Sequence, residues 1–199
     1  MPRKKLPSKN VAGWVQFLTP IAKADQKKHM QIINSNIGDI KTIFEIYDAA
    51  IVYQKAHFHR HWITFDQQKL EKEIAENRHW KIVMDDGQIG GVFSITYHDA
   101  DIWFEKDNDI SIYVHRIAVN PAYRGAGFVP FIIKWAKNYV TSTGRKYIRI
   151  DTFSDNEKLI AYYLCCGFVY AGVESPRITP DSPPHYIGIK LGLYEIEVN

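Results

Sequence analysis

In Val119-Asn-Pro-Ala-Tyr-Arg124-Gly125-Ala126-Gly127-Phe128 a strand pattern gives way to a helix pattern across one short loop. Upstream, Ile110 to Val119 is rich in β-branched residues, as a buried strand requires. Downstream, Phe128, Phe131, Ile132, Trp135, Ala136 and Tyr139 recur along one helical face. Between them, Gly125 and Gly127 permit a tight turn with free N–H groups, and the new helix adds its positive end. A loop of this kind is suited to a phosphate or pyrophosphate. No Gly-Lys-Ser/Thr is present and no third glycine falls at the dinucleotide spacing, so neither nucleotide fingerprint fits.

The flanking sequence alternates strands and helices. Towards the C-terminus, Gly144 ends the helix, Tyr147–Asp151 reads as a strand, Asn156–Cys166 as a helix closed by Gly167, and Phe168–Gly172 as a strand. A Pro-rich linker at 176–184 precedes a last strand from Tyr186 to Ile196. Towards the N-terminus, His29–Ile33 is a strand, and Ile40, Ile43, Phe44, Ile46, Tyr47 and Ala50 have helical spacing. Asp66 caps a second helix carrying Leu70 and Ile74. Trp80–Met84 and Gln88–Tyr97 form a hairpin about Asp85-Asp86-Gly87. The acidic loop with Asp99, Asp101, Glu105, Asp107 and Asp109 reads as a solvated hairpin, with steering of a cationic partner as the alternative. Such mixed alternation predicts an α/β or α+β sheet covered on both faces.

Composition places these elements in one globular domain: 199 residues, 46% hydrophobic and 24% charged, which excludes disorder along the whole length. Charged residues interrupt every apolar run, so no membrane span is expected, and no secretory signal pattern follows the basic start; the expected location is cytoplasmic. The adjacent pair Cys165 and Cys166 suits reducing surroundings and reads as packing. Residues 1–28 carry a net +6 and form a basic extension, in which Trp14, Val15, Phe17 and Leu18 suggest a short helix; residues 29–199 form the domain and carry a net −3. The extension reads as a solubilising arm rather than a nucleic-acid grip. His57, His59 and His61 lack a nearby Asp, Glu or Cys, so they read as an acceptor-side or surface loop before a metal site.

The loop Arg124-Gly-Ala-Gly127 after Ile117-Ala-Val119 resembles the acetyl-coenzyme A loop of the GNAT N-acetyltransferase superfamily. Asn156-Glu-Lys-Leu-Ile-Ala-Tyr-Tyr163-Leu-Cys-Cys-Gly167-Phe168 resembles that family's second motif, an Asn-led helix with a Tyr four residues before Gly-Phe. The resemblance covers about 29–175. It implies a mixed, mostly antiparallel sheet of six to seven strands flanked by helices, and acetyl transfer from acetyl-CoA, as cosubstrate and without a metal, to a primary amine by direct attack in a ternary complex. It implies that the amides of Arg124, Gly125, Ala126, Gly127, Phe128 and Val129 hold the coenzyme A pyrophosphate. Ile117, Ala118 and Val119 would line the pantetheine arm and polarise the thioester carbonyl. Asn156 would contact that arm, and Tyr163 would act as general acid towards the departing thiolate.

Two positions depart from the family pattern. A small residue is expected at 129, where this chain has Val129, and Pro130 removes one N–H from the first helical turn, so a weaker or shifted phosphate grip is expected. The general base is open: His115 is the first candidate because simple strand alternation puts it on the face of Ile117 and Val119, with Tyr113 alongside; a hydrogen-bonded structural histidine is the alternative. A non-catalytic coenzyme A-binding module, or a ribosome- or nucleic-acid-associated protein using the basic arm, are the competing functions. The acceptor is a small-molecule or peptide amine, and a homodimer is compatible with the sequence.

Overall fold

The computed structural model describes residues 29–180 and 182–199; the basic segment 1–28, with the expected helix around Trp14, lies outside the described residues. Among the described residues seven strands make one sheet: β1 (Gln31–Asn34), β2 (His79–Val83), β3 (Ile89–Thr96), β4 (Ser111–Val119), β5 (Tyr147–Phe153), β6 (Val169–Glu174) and β7 (Leu191–Glu197). Their spatial order is β1-β2-β3-β4-β5-β7-β6. The helices are α1 (Ile40–His57), α2 (Gln67–Ala75), α3 (Ala100–Trp103), α4 (Phe128–Ser142) and α5 (Glu157–Cys165). The sheet is mixed, mostly antiparallel and flanked by helices, as the resemblance implies.

Helix starts follow local capping chemistry. Asn36 and Asp39 cap each other's backbone ahead of α1, and the Asp66 carboxylate accepts from the Lys69 N–H at 2.9 Å. The apolar stripe of α1, Ile43, Ile46, Tyr47 and Ile51, is buried; Ile43, Ile46 and Tyr47 pack with Leu70 and Ile74 of α2 over Val92 and Ala118. On the opposite sheet face α4 buries Phe128, Ile132, Ile133, Ala136 and Val140 against β3, β4 and β5. Gly90 makes this contact close: a Cβ there would stand 2.8 Å from Cζ of Phe128. The N-terminus of α4 is thereby seated on β3.

The helix expected over 40–50 continues to His57, because Ile51 extends its buried stripe by another turn. The last strand begins at Leu191 rather than Tyr186, since Pro184–Tyr186 forms a 3-10 turn and Gly188 takes a positive φ before the chain joins β5 and β6. The acidic segment is not a solvated hairpin. Ala100–Trp103 is helical, Ile102 and Trp103 are buried, and the Asp107 carboxylate accepts from the Asp99 N–H at 3.0 Å and the Tyr113 O–H at 2.5 Å.

Two irregularities in β4 shape the middle of the sheet. Its parallel pairing with β5 covers only Ser111–Tyr113 against Tyr147–Arg149, after which the two strands part. On its other side, register with β3 shifts between Val92–Ala118 and Ser94–His115, so one extra residue bulges. That residue is Arg116, at φ +52°. Its guanidinium pairs with Glu73, donates to Ser94 Oγ at 2.8 Å and lies 5.7 Å from the Phe65 ring centroid. A left-handed conformation is costly for an ordinary residue, and these contacts hold it. Glu73→Ala leaves a largely buried guanidinium without its acid and is expected to reduce unfolding free energy by about 3 kcal/mol; a urea midpoint unchanged from the parent would show that the bulge does not depend on this pair.

Candidate active site

Where β4 and β5 part, a cleft of about 1300 Å³ opens through the sheet. Beyond Tyr113, β4 has no strand partner on the β5 side among the described residues, which leaves backbone groups along its inner edge open. The loop between β4 and α4 closes one end. Gly125 and Gly127 sit at φ +80° and +76°, with open space around a would-be Cβ, so their requirement for glycine is conformational. The N–H groups of Gly125, Gly127, Phe128 and Val129 have no acceptor among the described residues, and no side chain caps α4. Four open amides at a helix start form an anion cradle, which fits the pyrophosphate of coenzyme A. The Val129 side chain packs down onto the core beside Val114, Ile117 and Ile132, away from its own amide. Arg124 stacks over Tyr53, 4.2 Å from the ring centroid.

All twelve residues singled out for the coenzyme and for catalysis line this one cleft, from Ile117 and Arg124 to Asn156, Tyr163 and His115. Asn156 caps α5 by accepting from the Leu159 N–H at 3.2 Å, which turns the first α5 turn into the cleft. Tyr163 is buried against Phe168 and faces the opening. Burial, with the Asp151 carboxyl beside it, pushes its phenol well above the ordinary range, so the proton stays on at neutral pH. Tyr113 is not part of the cleft: its hydroxyl is engaged by Asp107 and Arg149.

His115 departs from simple alternation. The Arg116 bulge puts His115 and Ala118 on the face of α1 and α2, whereas Val114, Ile117 and Val119 pack on the α4 face. The imidazole stands between two carboxyl groups, Nε2 at 3.4 Å from Asp99 Oδ2 and Nδ1 at 3.5 Å from Asp151 Oδ1. Burial, with the Arg116 guanidinium adjacent, holds the ring neutral and lowers it to about 3. Burial likewise pushes Asp99 up to about 8, with Asp151 and two further acids adding to it, and Asp151 up to about 7. A neutral imidazole has one N–H and one lone pair, so the row is matched when one carboxyl carries a proton and the other accepts one. Asp99 and Asp151 escaped the sequence reading. Asp151 is visible there only as the end of a strand, and Asp99 only as part of an acidic loop.

His57 and His61 each bond a backbone oxygen at 2.8 Å, and neither belongs to a metal-capable cluster among the described residues. Cys165 is exposed at the end of α5, and Cys166 is half-buried and packs against the core. No described helix is long and apolar enough to cross a membrane.

Comparison with known proteins agrees with this geometry. The model of the acetyltransferase (GNAT) family matches residues 41–168, which contain the loop, the splayed strand and α5. An N-acetyltransferase of Bacillus subtilis called YesJ, itself uncharacterized, is 27% identical over 77 residues; the match spans 39% of this chain and 43% of that relative's length. Among solved structures, a GNAT-family acetyltransferase from Listeria monocytogenes superimposes with a TM-score of 0.70 at 21% identity, over 85% of this chain and 95% of that one. The Salmonella typhimurium protein yncA, solved with its cofactor acetyl-CoA, gives 0.60 at 16% identity over 86% and 95%. With the family model matching well over half its length, this chain belongs to the acetyltransferase (GNAT) family.

Proposed function

We propose that this protein is an N-acetyltransferase that moves an acetyl group from acetyl-CoA to a primary amine by direct attack in a ternary complex. The observation that carries the reading is continuity: one cleft joins the open amides at the start of α4, the unpaired edge of β4, the buried Tyr163 phenol and the Asp99–His115–Asp151 row. When bound, acetyl-CoA supplies the acetyl group as a thioester, a form reactive towards an uncharged amine. The amides of Gly125, Gly127, Phe128 and Val129 would hold its pyrophosphate, with Arg124 adding charge, and the open edge at Ile117–Val119 would pair with the pantetheine amides.

On this reading an N–H of β4 is aimed at the carbonyl oxygen, where negative charge develops as the amine attacks. The attacking nitrogen forms a bond to the carbonyl carbon and the carbon–sulfur bond breaks. Two protons leave the original ammonium. The first is taken before attack by the row as a unit: His115 relays it to a carboxylate, since burial keeps the ring itself neutral and raises Asp99 and Asp151 into the neutral range. The second passes to the departing sulfur, towards which Tyr163 donates its hydrogen bond; because its phenol is held protonated, it acts as donor throughout and is restored as it gives up and regains a proton. Cys165 and Cys166 have no part in this scheme, since no base is paired with them.

Tyr163→Phe should lower kcat by about 10²–10⁴-fold while leaving the dissociation constant of coenzyme A within a few-fold; stopped assays of thiol release with calorimetry read both, and an unchanged kcat would remove Tyr163 from the reaction and favour a binding module. Pro130→Ala restores a donor in the first turn of α4. It should tighten coenzyme A binding about tenfold, the worth of a hydrogen bond to a charged group; no tightening would show that the pyrophosphate does not reach that turn.

A further inference from the structure

The acceptor side of the cleft has an unbalanced charge inventory. Its arginines are already engaged: Arg116 by Glu73, Arg60 by Asp155 at 2.8 Å, and Arg78 by Glu76. Asp99 and Asp151 have no such partner. Their side chains are 14% and 8% exposed, the neutral His115 stands 3.4 and 3.5 Å from them, a backbone hydrogen bond reaches Asp151, and Asp99 Oδ2 is buried with no hydrogen-bond partner among the described residues. Beside them stand three rings in contact, Phe153 to His185 at 6.3 Å and His185 to Tyr186 at 5.1 Å between centroids. Two uncompensated carboxyl groups beside an aromatic wall recognise a cation.

Building on the acetyltransferase reading, we propose that Asp99, His115 and Asp151 form the subsite for the acceptor's ammonium group, and that the acceptor is a cationic alkyl amine or diamine with no carboxylate next to its nitrogen. A metal ion fits the same three side chains less well. The ligand atoms lie within 4.8 Å of one another, but the two carboxyl groups sit against opposite nitrogens of one ring, whose lone pairs point apart. Holding one ion on His115 and both carboxylates would require these side chains to turn from the arrangement seen. An α-amino acid would bring its own carboxylate against Asp99 and Asp151, with Arg116 held by Glu73.

The subsite couples binding to pH. The groups facing it are Arg78 and Arg116 from the β2–β4 side, Asp101 and Asp107 from the α3 segment, Tyr163 from α5, and His185 and Tyr186 from the segment before β7. Without acceptor, burial keeps part of the Asp99 and Asp151 population protonated at neutral pH. An ammonium favours the ionised carboxylates, so it must displace a proton, and its affinity rises with pH up to about 8 and then levels off.

Calorimetry on the full chain saturated with coenzyme A tests this, with 1,4-diaminobutane, glycine and zinc ion as separate titrants. Diaminobutane is expected to bind at least tenfold more tightly than glycine, to gain about tenfold from pH 6 to pH 8, and to lose both affinity and pH dependence in Asp151→Asn and Asp99→Asn. The amide replacements are isosteric with the protonated carboxyls, and retained coenzyme A binding in the same cell reports a folded protein. Diaminobutane binding no better than glycine, or equally well in both variants, overturns the acceptor class while leaving the coenzyme reading intact. Zinc binding that both variants abolish, without amine binding, would make the row a metal site. Failure of coenzyme A itself to bind the parent protein would instead break the acetyltransferase reading.

Discussion

The brevity of the parallel contact between β4 and β5 is the constraint from which the site follows. Three residue pairs join the strands, and beyond them the sheet is held open, with β5 occupied by β7 on its other side and β4 by β3. Unpaired backbone inside a protein is unfavourable unless something supplies the missing partner. An extended ligand with amide groups of its own is a natural occupant of such a gap. The cleft, the open strand edge and the helix start at α4 then point at the same opening, so one topological feature organises groups that are far apart in sequence.

The bulge at Arg116 adds chemistry to that geometry. By inserting one residue it sends His115 and Arg116 to one face and returns Ile117 and Val119 to the other. The strand thus offers an apolar lining to one side of the opening and a titratable pair to the other. Arg116 is neutralised by Glu73, so the field that reaches His115 is moderated, while Asp99 and Asp151 stay without a cation. Their burial raises them into the neutral range, and the Tyr163 phenol, with the Asp151 carboxyl beside it, is held protonated. Environments that push titratable groups apart are a common basis for acid and base roles.

Much of the fold could be read locally. The Arg124–Gly127 loop, the apolar stripe of α4, the Asp66 cap and the Asn156–Phe168 segment are short-range patterns; the structure brings Arg124–Gly127, Asp66, Asn156 and Tyr163 to one cleft, while the α4 stripe packs in the core. The misread features depend on contacts distant in sequence. Arg116 bulges because Glu73 and Ser94 hold it, and nothing near position 116 announces that. Asp99 and Asp107 look like loop acids until Tyr113 and the buried Trp103 fold the segment inward. The delayed start of β7 comes from a Pro184–Tyr186 turn lying inside a stretch with ordinary strand composition.

The central claim, that the opening between β4 and β5 is a coenzyme A site, is tested most directly by thermal unfolding with acetyl-CoA, free coenzyme A and ATP. A ligand at about 100 times its dissociation constant adds about 2.7 kcal/mol, which for a domain of this size is a rise in Tm of about 5 °C or more. The account predicts that rise with both coenzyme A species and none with ATP at the same concentration. No shift with saturating acetyl-CoA, or an equal shift with ATP, would contradict it.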